Sequence, residues 1–135
     1  MSYGNKGAAQ NFIASGTITA GQVVKIVGFS GGLPQVAVAD DGTTATADAN
    51  IGIALESVTD GQVLAVQIDG VCDFATAGAV IAAGSLVTTD ASGKLAAAAS
   101  GDRAFGRLLA GKSATGATAD GALCSILIHG PIDIA

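Results

Sequence analysis

Residues 62–69 read QVLAVQID, an alternation that places Leu64, Val66 and Ile68 on one face and Gln67 and Asp69 on the other. A period of two is the signature of a half-buried β-strand. QVVKIVG at 22–28 repeats it, with Val24 and Ile26 on one face and Lys25 opposite. NIGIALES at 50–57 sets Ile51, Ile53 and Leu55 against Gly52, Ala54 and Glu56. Turn signals punctuate these runs: SGG at 30–32, DDG at 40–42, DG at 60–61 and 120–121, ASG at 91–93 and SGD at 100–102. The Ala-rich LAAAAS at 95–100 favours helix by composition, but it is short and follows a tight turn, so it reads as a weak strand. Many short strands at this spacing predict an all-β fold, a small barrel or sandwich.

The pattern occurs twice. ITAGQVVKIVGFSGGL at 18–33 returns as IAAGSLVTTDASGKL at 81–95, and NIGIALES answers to AFGRLLAG at 104–111. DGQVLAVQIDGVCDF at 60–74 is matched by DGALCSILIHGPIDI at 120–134, with Asp60, Gly61, Ile68, Gly70 and Asp73 recurring identically. The chain therefore divides into related half-units of about 12–73 and 74–134. Two half-barrels closing on one another would bury both faces and remove open sheet edges. On this reading Leu64, Val66 and Ile68 share one core with Cys124, Ile126 and Ile128. Residues 1–11, MSYGNKGAAQN, are polar and aperiodic and read as a flexible arm preceding a single β domain at 12–135. Residues 39–50 are a second candidate for a mobile loop.

Composition narrows what such a fold can do. The 135 residues are half apolar, too many for a disordered chain, and include 28 Ala and 20 Gly but only four Phe, one Tyr and no Trp. The longest apolar runs fall well short of a bilayer span, and no charged-then-apolar leader opens the chain, so a soluble protein kept inside the cell that makes it is expected. A net charge of −5, with scattered charges, argues against binding nucleic acid through its phosphates.

Candidate chemistry is sparse. The lone His129 aligns with Asp69, on the polar face, and reads as an exposed strand-end residue; no Gly-x-Ser-x-Gly elbow accompanies it. Cys72 and Cys124 are too few for a disulfide framework and lack metal-ligand spacing. Cys124 takes the slot of Leu64, which predicts a buried, inert thiol. Asp40-Asp41 lacks the oxygen spacing of a calcium loop, and GFSGG at 28–32 lacks the Lys-Ser/Thr of a phosphate loop, so a hairpin turn is expected there. Neither enzyme, metal nor cofactor is predicted. Arg107 breaks the pattern by standing where Ile53 stood. Either the strand turns differently there, or that face meets solvent or another subunit.

In this order, AGQVVKIVG, NIGIALESVTDGQVLAVQIDGVCDF, AGSLVTTDASGKL and AFGRLLAG resemble a family of small capsid decoration proteins of tailed bacteriophages, also called cement or head-stabilising proteins. The similarity runs from about residue 16 to 129; the Cys-Asp of GVCDF departs slightly from the usual phrase. The resemblance implies a β-rich structural protein made in the bacterial cytoplasm and carried on the outer surface of the virion. It also implies the major capsid protein as partner, self-association with a trimer favoured, and neither membrane nor direct nucleic-acid contact. Under that reading Tyr3, Asn5, Lys6, Gln10 and Asn11 of the arm, with Arg107, are the candidate interface residues. The rival is a cellular β-barrel module for a sugar or other small ligand, which would need a concave patch with aromatic rings and clustered polar groups.

Overall fold

The computed structural model describes residues 9–42, 50–111 and 116–134, and every regular element among them is a strand. The first five are β1 (Ala9–Ala14), β2 (Val23–Ser30), β3 (Leu33–Val38), β4 (Asn50–Ala54) and β5 (Val63–Gln67). They form a closed barrel in the order β1-β3-β2-β4-β5, sealed by antiparallel pairing of β5 with β1 and parallel pairing of β1 with β3. The next five are β6 (Gly70–Thr76), β7 (Leu86–Thr89), β8 (Leu95–Ala97), β9 (Arg103–Ala110) and β10 (Leu123–Asp133). Their order, β6-β10-β9-β7-β8, copies the first set strand for strand. Where Ala14 pairs with Val36 to close the barrel, only an isolated parallel bridge, Ala77 to Leu95, joins β6 to β8.

Sequence dictates the local geometry. The hairpin joining β2 and β3 turns through Gly31 and Gly32, at φ 60° and 85°. Two successive positive φ values are what a tight hairpin of matching twist requires, and they suit glycine. Gly52 in β4 and Gly106 in β9 answer a different need: a Cβ on either would collide with the carbonyl oxygen of Gln67 or Leu127 on the neighbouring strand.

The division of the core differs from the shared one that the alternation suggested. Each half gathers a core of its own, although only the first closes into a barrel. Phe12, Ile18, Val24, Val36, Leu64 and Val66 fill the first barrel, with Ile68 half-buried at its margin. Cys72, Ile81, Val87, Leu95, Leu108, Cys124, Ile126 and Ile128 fill the second, together with Val23, Ala39 and Ile53 from the outside of the first. The first barrel closes around its own small side chains, whereas the five-stranded sheet of the second half completes its interior with side chains from the first half's outer face. What the halves share is an outer face.

Three boundaries also move. Of the residues expected to form an arm, Ala9, Gln10 and Asn11 belong to β1 and pair with Gln67, Val66 and Ala65, and residues 1–8 lie outside the described residues. Backbone pairing does not require an apolar period, so polar residues could join the strand. The loop expected at 39–50 is anchored at both ends: Ala39 is buried with its N–H on the Val23 carbonyl at 2.9 Å, and Asn50 opens β4. Residues 43–49 lie outside the described residues. The weak strand expected over 95–100 is real only as Leu95–Ala97.

Candidate functional site

Tyr3, Asn5 and Lys6 lie outside the described residues. Gln10 and Asn11 are exposed on β1, in the first barrel, whereas Arg107 is exposed on β9 in the second sheet. The predicted interface residues are thus not gathered into one patch.

Arg107 resolves the conflict noted in the sequence. Its cross-strand partners are Leu86 on β7 and Leu127 on β10, and its Nη1 donates to the Gly84 carbonyl at 2.6 Å. Ile53 has the same register, opposite Val23 and Gln67, but is sealed beneath the second sheet. The strand is not turned differently. The face is the same, and in the second repeat it is uncovered.

Several large apolar side chains stand in solvent that sequence reading did not single out, among them Val27, Phe29, Phe74, Val80 and Leu123. Parity held the signal for two of them, because Val27 and Phe29 fall opposite Val24 and Ile26 along β2. Phe74 and Leu123 also line a shallow groove with Ala20 and Leu55 where the two repeats meet. Phe74 and Leu123 adjoin in that groove, and contiguous apolar surface of this kind suits a macromolecular partner.

A larger cleft of about 420 Å³ is lined by residues of both repeats. Phe12, Ile51, Ile68, Phe105 and Ile128 form its apolar lining, with Asn50, Asp69, Arg103 and His129 among them. Phe12 and Phe105 are both buried, so neither offers an open ring for stacking. His129 is half-buried rather than exposed, with Nδ1 2.7 Å from the Gly130 carbonyl. Arg103 is held by Asp133, its Nε donating to Oδ1 at 2.6 Å and its Nη2 to Oδ2 at 3.2 Å. That hydrogen-bonded pairing raises the arginine's pKa and lowers the carboxylate's, tying the start of β9 to the end of β10.

The remaining chemistry-bearing residues serve the fold. Lys25 bridges Asp40 at 2.9 Å, and Asn50 Nδ2 donates to the Asp41 carbonyl at 3.0 Å. Among the described residues no group of three His, Cys, Asp or Glu side chains comes together. Cys72 and Cys124 are buried free thiols, and desolvation raises both, Cys124 to about 11.

A family profile described as phage cement protein matches residues 5–126. None of the curated proteins matches the sequence. Among solved structures, the head fiber gp8.5 N base of bacteriophage phi29 superposes with a TM-score of 0.65 at 18% identity, covering 90% of this chain and 92% of that one. At that identity the likeness concerns the fold alone.

Proposed function

This chain belongs to the phage cement protein family and is a structural protein of the phage capsid, and from that membership we propose that it binds the outer surface of an assembled head, bridging several subunits of the major capsid protein. The observation that carries the reading is the family match, which extends from residue 5 into β10 and so takes in nearly both repeats.

Its action is binding without turnover. A ligand that recognises the assembled lattice and not free coat protein stabilises the lattice by mass action. Contact with several subunits at once raises the effective concentration of each further contact, so modest individual affinities add to a firm hold. Exposed apolar side chains such as Phe74 and Val80 supply contact area for this. Self-association as a trimer would multiply the contacts again.

Residues 2–8, with Tyr3, Asn5 and Lys6, are the proposed capsid-contacting arm. They carry no periodic apolar face and add little to a core. Laid against a coat subunit they would gain main-chain hydrogen bonds and a tyrosine contact.

Co-sedimentation with heads lacking their decoration tests both points. The parent chain is expected to pellet with heads and not with free coat protein. Deleting residues 2–8, which spares β1, should weaken attachment at least tenfold, about 1.4 kcal/mol, and leave the melting temperature within a few degrees. A parent chain that fails to pellet with matching heads would overturn the capsid-surface reading. Equal binding by the deletion would remove the arm from it.

A further inference from the structure

The contact between the two repeats is one-sided. The first repeat presents an outer face of β2, β4 and β5, onto which the turn between β7 and β8 folds: Val23 N–H donates to the Gly93 carbonyl at 2.7 Å. Beside it, Thr76 N–H donates to the Gly21 carbonyl at 3.0 Å. Strand register identifies the same face on the second repeat. The pairs Val23–Ile53 and Ile53–Gln67 become Leu86–Arg107 and Arg107–Leu127.

Burial differs sharply between the two faces. Ile53 is 0% exposed and Gln67 4%, whereas Leu127 is 38% exposed and Arg107 is also open to solvent. The flanking glycines agree. A Cβ on Gly21 would strike Thr76, but one on the equivalent Gly84 would meet nothing within 4 Å. The Gly21 carbonyl accepts from the Thr76 N–H, whereas the Gly84 carbonyl accepts from the Arg107 guanidinium.

The docking turn has its own unmatched counterpart. A Cβ on Gly93 would press on Val38 of the other repeat, whereas at the tip of the β2–β3 hairpin one on Gly31 would meet only Ile13 of its own repeat and one on Gly32 nothing within 4 Å. That hairpin is longer than its equivalent and ends in an exposed Phe29, 71% accessible. Each chain therefore carries one filled and one open socket, and one docked and one free hairpin.

We propose that the outer face of the second repeat, at Leu86, Arg107 and Leu127, receives the β2–β3 hairpin of a second copy of this chain. The contact continues between chains the interface already present within one. Because socket and hairpin are different surfaces, the association is heterologous, and it closes into a ring if the rotation permits. Phe29 brings an apolar ring to a socket flanked by leucines, where the Arg107 guanidinium can lie against its face. Nothing in this depends on the capsid reading.

Sedimentation velocity of the full chain over a concentration series tests it. The parent is expected to assemble. Phe29→Glu, which spoils the hairpin, and Leu127→Glu, which spoils the socket, should each raise the concentration for half-assembly at least tenfold. Both side chains are exposed, so parent-like melting is expected; should either fail this check, Val27→Glu on β2 replaces the first, and Leu109→Glu, exposed on β9 two residues beyond Arg107, replaces the second. The decisive arm mixes the two variants. Phe29→Glu keeps its socket and Leu127→Glu keeps its hairpin, so the mixture should form a one-to-one dimer and stop there. A parent that stays monomeric throughout, variants that assemble like the parent, or a mixture without the dimer would each overturn the inference. A monomeric parent that still pellets with heads would do so while leaving the capsid role intact.

Discussion

Ile126 and Ile68 both point inward from their strands, yet only Ile126 is sealed from water. Removing buried methylenes loses their transfer free energy and leaves a cavity that the surroundings only partly fill. Ile126→Ala is therefore expected to cost about 2–5 kcal/mol in chemical denaturation, and Ile68→Ala clearly less. Asp69→Ala, at an exposed position, should cost less than Ile126→Ala, and equal losses at all three positions would show that the faces are assigned wrongly. Alternation along the chain was enough to assign these faces. It could not tell how deep each position lies, because depth depends on which strand end the neighbouring repeat covers. The same limit explains His129, whose parity suggested an exposed residue and which sits half-buried beside a cleft. Cys124 was legible from its alignment with Leu64, and its burial has a consequence in alkali. The folded thiol ionises near 11 and the unfolded one near 9.0. A raised folded pKa stabilises below the unfolded value and ceases to do so as pH climbs through the folded one. Stability should accordingly decline between about pH 9 and 11, and Cys124→Ala should flatten that decline in pH-dependent melts.

At the scale of strands, turn chemistry was the most legible feature. Gly31-Gly32 and the Asp-Gly pairs mark hairpins and bends at the places where the chain reverses. Harder to read were Gly52 and Gly106, which sit inside strands where glycine is ordinarily a weakness. Their reason lies across the sheet: the carbonyls of Gln67 and Leu127 approach so closely that a side chain has no place. The colliding atoms are backbone, so they cannot swing aside. Gly52→Ala should therefore push β4 away from β5 and cost roughly 1–3 kcal/mol despite alanine's smaller entropy loss. A melting curve matching the parent would show that the barrel relaxes more readily than its spacing implies. Polar strands were the other blind spot. Ala9–Asn11 join β1 through main-chain pairing alone, and no side-chain pattern announces such a strand.

For the whole molecule, the sixty-residue echo predicted two related units, while the way they join depends on positions where the echo fails. Ile53 and Arg107 occupy one register and differ because one lies under a neighbour and the other does not. Through Val23, Ala39 and Ile53 the first repeat contributes to the second repeat's core, so the two should unfold together. Ile53→Arg, which copies the second repeat's residue into the first, tests that coupling. A guanidinium placed there would be unpaired in a dry interior and would part the repeats or force them to rearrange. The expected result is a single cooperative transition in the parent and a loss in the variant of at least 3 kcal/mol or so, the scale of a broken buried charge arrangement. Calorimetry of the parent resolving two separate transitions would mean that each repeat stands alone. The shared outer face would then be mere adjacency, and the open face at Arg107 would need no partner to complete it.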